Sequence, residues 1–162
     1  MPTLEGTTNA SGLRFAVVVA RFNDFVTQRL RTGATEALKA AGVVDDHITT
    51  LLVPGSFEIP LAAQRAAETG QFDAVVCLGC LIRGATPHFE YISSAVATGL
   101  THAAAATGVP MAFGVLTTNS AEEALERAQP GSGNKGWEAA MAAIEMATLL
   151  ARLERVTSRA RA

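Results

Sequence analysis

The feature that most constrains the fold is a series of short apolar runs, rich in β-branched residues, that alternate with segments of helical periodicity. The first run, RFAVVVA at residues 14–20, is typical of a strand buried on both faces of a parallel sheet. Similar runs predict strands at residues 48–53, 74–78 and 111–116. Because each strand is followed by a helical segment, the sequence predicts right-handed β-α-β crossovers and one parallel sheet.

Caps and helix breakers set the predicted limits of the helices. Asn23 or Asp24 caps the first helix and Gly42 stops it, and Pro87 opens the third helix as its first residue behind a Thr86 cap. The predicted helices cover residues 24–41, 57–69, 87–107 and 120–128, and a last helix follows a Gly-rich link at 130–136 and runs to about residue 155.

This order of elements predicts the architecture. We expect a single domain, residues 1–162, with the α/β fold of a flavodoxin-like three-layer sandwich whose four parallel strands follow the order 2-1-3-4. Residues 1–13 have no place in that scheme. We therefore expect this N-terminal arm to dock on a neighbouring subunit, with addition to that subunit's sheet as one way to do so.

Charge is sparse in this chain. Charged residues make up 17% and apolar residues 49% of it, against a usual charged share of roughly 25%. We therefore expect a homo-oligomer in which part of the surface is buried against other copies; the alternative is a bland, Ala-rich surface. The formal net charge of −2, without runs of like charge, argues against nucleic-acid partners. No apolar segment approaches the ~20 residues that span a bilayer, and no secretory leader opens the chain, so we expect a cytoplasmic protein with no membrane partner.

Two sequence motifs lie in contexts that argue against their usual functions. Cys77 and Cys80 form a C-x-x-C, but they lie in an apolar strand and no second pair completes a zinc site, so we expect neither a disulfide nor a metal. Residues 131–136 satisfy G-x-G-x-x-G, yet they follow a helix instead of a strand, which argues against a dinucleotide-binding turn. Lys135 in this link and Arg127 in the preceding helix could still reach an anion.

Ligands of open parallel α/β sheets bind outside the carboxyl ends of the strands, which selects four loops. These loops are residues 21–23, 54–58, 79–88 and 116–119. Together they carry aromatic, acidic, imidazole and amide side chains, namely Phe22, Phe57, Glu58, His88 and Asn23. Such a rim suits a flat heterocycle that carries a polyol.

The third of these loops favours an anion. Residues 83–86 (RGAT) combine flexible backbone, a hydroxyl and the amides of a helix start, which suit a phosphate or carboxylate. The alternative is that Thr86 and Pro87 merely start a helix. His88 follows in the first turn, where a neutral imidazole can accept a proton; the alternative is an ordinary polar surface histidine.

Four stretches resemble the lumazine synthase family, in the same order and over nearly the whole chain. They are residues 21–23 (RFN), 54–60 (PGSFEIP), 79–91 (GCLIRGATPHFEY) and 114–119 (GVLTTN), the last continuing through Glu122, Ala124 and Arg127 to 134–136 (NKG). The resemblance implies a cofactor-free transferase of riboflavin biosynthesis that condenses two small-molecule substrates, 5-amino-6-(D-ribitylamino)uracil and 3,4-dihydroxy-2-butanone 4-phosphate. It implies an imine, loss of phosphate and ring closure to 6,7-dimethyl-8-ribityllumazine.

The resemblance also implies a role for each site residue. Phe22 stacks on the pyrimidine, the ribityl chain is held by Asn23, Ser56, Phe57 and Glu58, and the ring pocket is lined by Leu81 and Ile82. The phosphate is held by Gly84, Ala85, Thr86 and Arg127, and His88 moves protons. Because the family forms rings of five with sites between subunits, Phe113, Arg127 and Lys135 are expected from the neighbour.

The size of the assembly is left open by the sequence. Some members pack twelve rings into an icosahedral shell of 60 subunits, with riboflavin synthase as a candidate partner, and others stop at one or two rings. Residues 128–136 contain no obvious insertion, which permits a shell. Pro130 and Gly131, however, depart from the loop of shell-forming members.

Other functions of the same fold remain as alternatives. A flavin- or lumazine-binding carrier would place a Ser/Thr/Gly-rich phosphate loop after the first strand, where this chain has RFND at residues 21–24. A shell protein without activity would not need Glu58, His88 and Arg127 at one rim. An archaeal-type riboflavin synthase shares the fold, and product analysis separates it from a lumazine synthase.

Overall fold

Strand β1 (Phe15–Ala20) lies inside the sheet, and all six of its residues are buried. In the computed structural model, which describes residues 1–162, β1 pairs in parallel with β2 (Ile48–Val53) on one side and β3 (Ala74–Ile82) on the other. The edge strand β4 (Met111–Thr118) pairs in parallel with β3. The strand order is β2-β1-β3-β4, so the predicted flavodoxin-like sheet is confirmed.

Helices cover both faces of this sheet. They are α1 (Asp24–Ala40), α2 (Ile59–Glu68), α3 (His88–Thr107), α4 (Ala121–Arg127) and α5 (Lys135–Arg161), with 3-10 turns at Asp45–His47 and Ser56–Glu58. The core under α1, α4 and α5 contains 24 buried residues and the core under α2 and α3 contains 13, so the second face is the thinner one. Only Val96, Leu100 and Ala103 of α3 are buried, which leaves most of that helix at the surface. None of the helices combines the length and the apolar character needed to cross a membrane.

The start of α5 is locked onto the middle of α1. A Cβ at Gly136 would overlap the Leu30 carbonyl oxygen, and a Cβ at Gly33 would overlap the Asn134 side chain. Asn134 Oδ1 accepts hydrogen bonds of 2.8 and 3.2 Å from the first amides of α5, while Nδ2 donates to the Arg29 carbonyl at 3.2 Å. Asn134 therefore caps α5 and ties it to α1 with the same side chain.

Strands β3 and β4 are longer than the sequence predicted. Leu81 and Ile82 pair with Thr117 and Thr118, so the loop after β3 is residues 83–87 and not 79–88. Gly79 lies inside β3, where a Cβ would come within 2.5 Å of a serine hydroxyl, that of Ser56. Close packing, and not a turn, therefore explains this glycine.

The predicted caps of two helices are corrected. Helix α3 begins at His88, with Pro87 at the cap position and no side-chain cap, so Thr86 is not the cap. Asn23 occupies the cap position of α1, but it adopts a left-handed conformation (φ 60°) and makes no capping hydrogen bond. Asn23 therefore has the predicted cap position without the capping bond, and the Thr86 cap is wrong; both lie at the rim where ligands were expected.

The ends of two other helices also differ from the prediction. A 3-10 turn at Ser56–Glu58 precedes α2, so this helix begins at Ile59, and Pro60 lies in its first turn as expected. Helix α5 runs beyond the predicted end near residue 155, to Arg161.

The N-terminal arm contacts its own chain, contrary to the expectation that it has no partner there. The Thr7 amide donates to a threonine hydroxyl of α5 at 2.8 Å, and Arg152 donates to the Glu5 carbonyl at 2.8 Å. Ala10 is buried, and its amide donates to the Ala41 carbonyl at 2.8 Å. Docking of the arm on a neighbour stays a prediction.

Candidate active site

A cleft of about 590 Å³ opens where β1, β2 and β3 end. Its wall includes ten of the predicted substrate-contacting residues: Phe22, Asn23, Ser56, Phe57, Glu58, Leu81, Ile82, Gly84, Thr86 and His88. Three of the four predicted loops thus meet at this cleft, whereas the fourth, residues 116–119, contributes Leu116 and Thr117 to a separate cleft. Ala85 belongs to the same loop, but it does not line the cleft. The chemical role of each residue stays a prediction.

Two phenylalanine rings flank this first cleft and remain largely open to solvent. Phe22 is 68% exposed and Phe57 is 60% exposed, which is unusual for side chains of this size. The backbone fixes Phe22, since the Arg21 and Phe22 amides donate to the Val53 and Pro54 carbonyls at 2.8 and 3.0 Å. Exposed aromatic faces held in place by backbone hydrogen bonds provide a platform for a planar ring.

Asn23 joins the loop after β1 to β3. Its Nδ2 donates to the Cys80 carbonyl at 2.8 Å, and its left-handed backbone turns the chain sharply between Phe22 and α1. Asparagine tolerates this conformation better than most residues. The side chain therefore fixes the position of Phe22 in addition to lining the cleft.

The turn after β2 brings a carboxylate to the cleft. Ser56 is buried beneath Gly79, and the Glu58 side chain is exposed beside Gly55. A Cβ at Gly55 would lie 3.2 Å from Glu58 Oε2 and 4.0 Å from the Phe22 Cβ. The glycine thus leaves room for a hydrogen-bonding carboxylate next to an aromatic ring.

The loop at residues 84–86 meets the exposed start of α3. A Cβ added at Gly84 would have no atom within 4 Å, so the backbone of this loop is open to a ligand. The first amides of α3 have no side-chain cap. Free amides at the positive end of a 20-residue helix are suited to bind an anion, and exposed His88 is the first residue of that helix.

A second cleft, of about 370 Å³, lies between edge strand β4 and the start of α5. It brings together Phe113, Arg127 and Lys135, the three residues that the resemblance assigns to the neighbouring subunit, and it shares no lining residue with the first cleft. Arg127 donates to the Glu123 carbonyl at 3.1 Å, and Lys135 pairs with Glu138 at 2.8 Å. This region therefore offers two cations beside an unpaired strand edge.

Several residues that line the clefts were not predicted. Outside the four predicted loops, they are Phe89 and Ile92 in the first cleft and Gly114, Val115, Glu138, Ala139 and Ala142 in the second. Helical spacing could have identified most of them, because Ile92 lies four residues after His88, and Glu138, Ala139 and Ala142 lie on the Lys135 face of α5.

The two cysteines are buried on opposite faces of the sheet. Burial raises the pKa of the Cys77 thiol to about 12 and that of Cys80 to about 11. Both thiols are therefore protonated near neutral pH, which makes them weak nucleophiles.

Comparison with known proteins places this arrangement in one family. The family model for 6,7-dimethyl-8-ribityllumazine synthase matches residues 12–151. A protein of that name from Syntrophus aciditrophicus is 54% identical over 93% of this chain and 98% of its own length. Its namesake from Desulfatibacillum aliphaticivorans is 50% identical over 90% and 94% of the two chains. The namesake from Clostridium kluyveri is 49% identical over 95% and 100%. The chain therefore belongs to the 6,7-dimethyl-8-ribityllumazine synthase family.

Proposed function

We propose that this chain is a cytoplasmic enzyme of riboflavin biosynthesis that forms 6,7-dimethyl-8-ribityllumazine from 5-amino-6-(D-ribitylamino)uracil and 3,4-dihydroxy-2-butanone 4-phosphate. The observation that carries the proposal is the first cleft, in which two exposed phenylalanine rings, a carboxylate and a helix start with free amides face one space. Its volume of about 590 Å³ falls in the range of roughly 300–1,000 Å³ typical of small-molecule sites. Family membership supports the same reaction.

The complete site forms between adjacent copies of the chain, in a ring of five. The first cleft supplies the aromatic platform and the loop at 84–86, and a neighbour's second cleft supplies Phe113, Arg127 and Lys135. Two observations support this arrangement: the clefts are separate within one chain, and β4 leaves an unpaired edge beside the second cleft. The exposed surface of α3 and the 17% share of charged residues also favour association. Packing of twelve such rings into a shell, and a complex with riboflavin synthase, would be further steps of assembly beyond the ring.

The residues of the chain act mainly by holding the two substrates together. The substrate's own amine attacks the ketone carbon and loss of water gives an imine, so no lysine is needed as a covalent amine donor. His88 moves the proton that leaves the carbon beside the imine as phosphate departs with its bonding electrons. Elimination leaves an enol, which takes up a proton at its terminal carbon and loses the hydroxyl proton, giving a methyl ketone. The ribityl-bearing nitrogen then attacks this carbonyl carbon, and loss of water closes the ring. Proximity supplies much of the rate enhancement, with acid–base help on the order of a hundredfold.

The first experiment identifies the product. Purified protein is mixed with both substrates, lumazine fluorescence is followed, and the same sample is sized by sedimentation. Lumazine formation by a species whose mass is a multiple of a pentamer supports the proposal. An archaeal-type riboflavin synthase would instead convert added lumazine to riboflavin. A carrier would bind lumazine without making it, and absence of product rejects the enzyme assignment.

A mixed assembly tests whether sites lie between copies. His88→Ala removes the proton carrier of the first cleft and Arg127→Ala weakens sugar-phosphate binding at the second. When the sugar phosphate is kept well below its KM, each variant alone therefore has low activity. When the two variants are unfolded, mixed in equal amounts and refolded together, about a quarter of interfaces pair an intact first cleft with an intact second cleft. Activity near that fraction of wild type supports shared sites. Activity no higher than the mean of the two variants places each site within one chain.

A further inference from the structure

Arg83 lies immediately before the loop at residues 84–86 and is engaged by two different segments. Its amide donates to the Thr118 carbonyl at 2.8 Å, which extends the pairing of β3 with β4 by one residue. Its Nε donates to Asn119 Oδ1 at 2.9 Å, and its Nη1 pairs with the Glu90 carboxylate. The guanidinium carbon also lies 4.6 Å from the centre of the Phe89 ring. One side chain thus joins the end of β4 to the first turn of α3.

The loop between these anchors has no other polar tether. Residues 84–87 are exposed, and apart from the Arg83 contacts no side-chain hydrogen bond reaches residues 83–88. Without Arg83 the first turn of α3, which begins with His88, would lose its polar link to the sheet. The loop must nevertheless hold a fixed shape if its amides are to converge on one anion.

The anchor at the far end is itself fixed. The Asn119 amide donates to Glu123 Oε2 at 3.0 Å, and Ser120 caps α4 by accepting from the Glu123 amide at 3.1 Å. Asn119 is therefore held at the start of α4 when it accepts from Arg83. A rigid partner is what a positioning contact requires.

We propose that Arg83 is a positioning residue that sets the shape of the phosphate-binding loop and the place of His88, and that it does not itself bind the phosphate. This inference rests on the proposed function of the same site. The donors of Arg83 already face Asn119 and Glu90, and its planar fork also packs on Phe89. An isolated exposed ion pair would contribute little, but lysine cannot reproduce this three-way geometry.

The test measures binding of inorganic phosphate by calorimetry and the KM of each substrate. Arg83→Lys keeps the charge and loses the fork, so we expect phosphate Kd and sugar-phosphate KM to rise about tenfold, with pyrimidine KM changed less than twofold. Glu90→Gln separates the two roles by the sign of its effect. If Arg83 positions the loop, phosphate binds more weakly to this variant; if Arg83 binds the phosphate, release from Glu90 makes phosphate bind more tightly.

Arg65→Lys is the matched control, because Arg65 forms a comparable exposed pair with Glu68 on α2, outside both clefts. It should leave all constants at wild-type values. Wild-type phosphate affinity in Arg83→Lys, or tighter binding in Glu90→Gln, overturns the inference. If Arg83→Lys fails to fold, Asn119→Ala removes one arm of the anchor and must weaken phosphate binding. Phosphate binding needs no turnover, so a wild-type protein that binds phosphate but makes no lumazine fails the proposed function alone.

Discussion

The two clefts of this chain differ in what they offer a ligand. The first is built from the ends of β1, β2 and β3 and presents exposed rings, a carboxylate and free helix amides. The second lies on an edge strand and presents Arg127 and Lys135, with one phenylalanine. Under the proposed function, a planar ring stacks in the first cleft, while a phosphate dianion takes its countercharge mostly from the second. Because the two clefts share no lining residue, the proposed reaction divides substrate recognition between two separate surfaces of each chain.

The largest effect is expected in the first cleft. His88→Ala should lower kcat on the order of a hundredfold and leave a measurable rate, because proximity of the substrates survives loss of the proton carrier. Stopped-flow or steady-state measurement of lumazine formation gives the value. His102→Ala, an exposed histidine further along α3, is the control and should match wild type. A wild-type kcat in His88→Ala would show that His88 does not act as the acid–base group of the first cleft.

In the second cleft the effect should fall on binding. Arg127→Ala removes a charged donor, and loss of a charged hydrogen bond costs about 1.5–3 kcal/mol, so sugar-phosphate KM should rise at least about tenfold. The pyrimidine KM should change far less. Steady-state kinetics with each substrate varied in turn measures both values. An equal rise for both substrates would show that the two clefts do not divide the recognition as the comparison suggests.

A smaller effect is expected for the aromatic platform. Phe22→Ala should raise the pyrimidine KM about two- to tenfold, because stacking contributes about 0.5–1.5 kcal/mol, and should spare the sugar phosphate. Phe22→Leu keeps apolar area without a ring face, and intermediate behaviour is expected from it. If the leucine variant equals wild type, burial of apolar surface and not stacking explains the contribution.

The smallest effect concerns the two thiols, which are buried in the cores on opposite faces of the sheet. The Cys80 carbonyl accepts from Asn23 below the first cleft, and Cys77 pairs with Phe113 at the second. Burial holds the pKa values of the two thiols at about 11 and about 12, above the ordinary 9.0, so disulfide-exchange reagents should label neither at pH 8. In the unfolded chain the thiols ionise near pH 9, whereas in the folded protein they stay protonated up to pH about 11 and about 12. Ionisation of the thiols therefore leaves the free energy of unfolding unchanged below pH about 9 and lowers it as the pH rises from there toward 11 and 12. Labelling of Cys80 at pH 8 would show that the core under α1, α4 and α5 opens to solvent.

The sheet could be predicted from the sequence because its information is local. RFAVVVA at residues 14–20 is apolar at every position after the arginine, and such a run has few alternatives to a doubly covered strand. The end of β3 could not be predicted, since Leu81 and Ile82 extend the strand only through their pairing with β4. Gly79 suggested a loop for the same reason: the side chain it makes room for, Ser56, is far away in the sequence.

The candidate site, like the sheet, could be predicted only in part. Residue types at strand ends were sufficient to gather Phe22, Glu58 and His88 on one rim, because parallel topology forces those ends together. The polar contacts of the rim could not be predicted in the same way. Asn23 was expected to cap α1, but it donates to the Cys80 carbonyl instead. A side chain with several available partners is assigned only when the fold has brought one of them near.

The close contact of α1 with α5 has a mechanical consequence. Helix α1 begins beside the first cleft, directly after Asn23. Its middle packs closely against the start of α5, the segment that carries Lys135 to the second cleft. Because Gly136 touches the Leu30 backbone with no intervening side chain, a tilt of α1 cannot be absorbed by rotamer changes. Helix α1 therefore couples the first cleft to the second within one chain, so that in the proposed ring a displacement at one site would be passed on to the next.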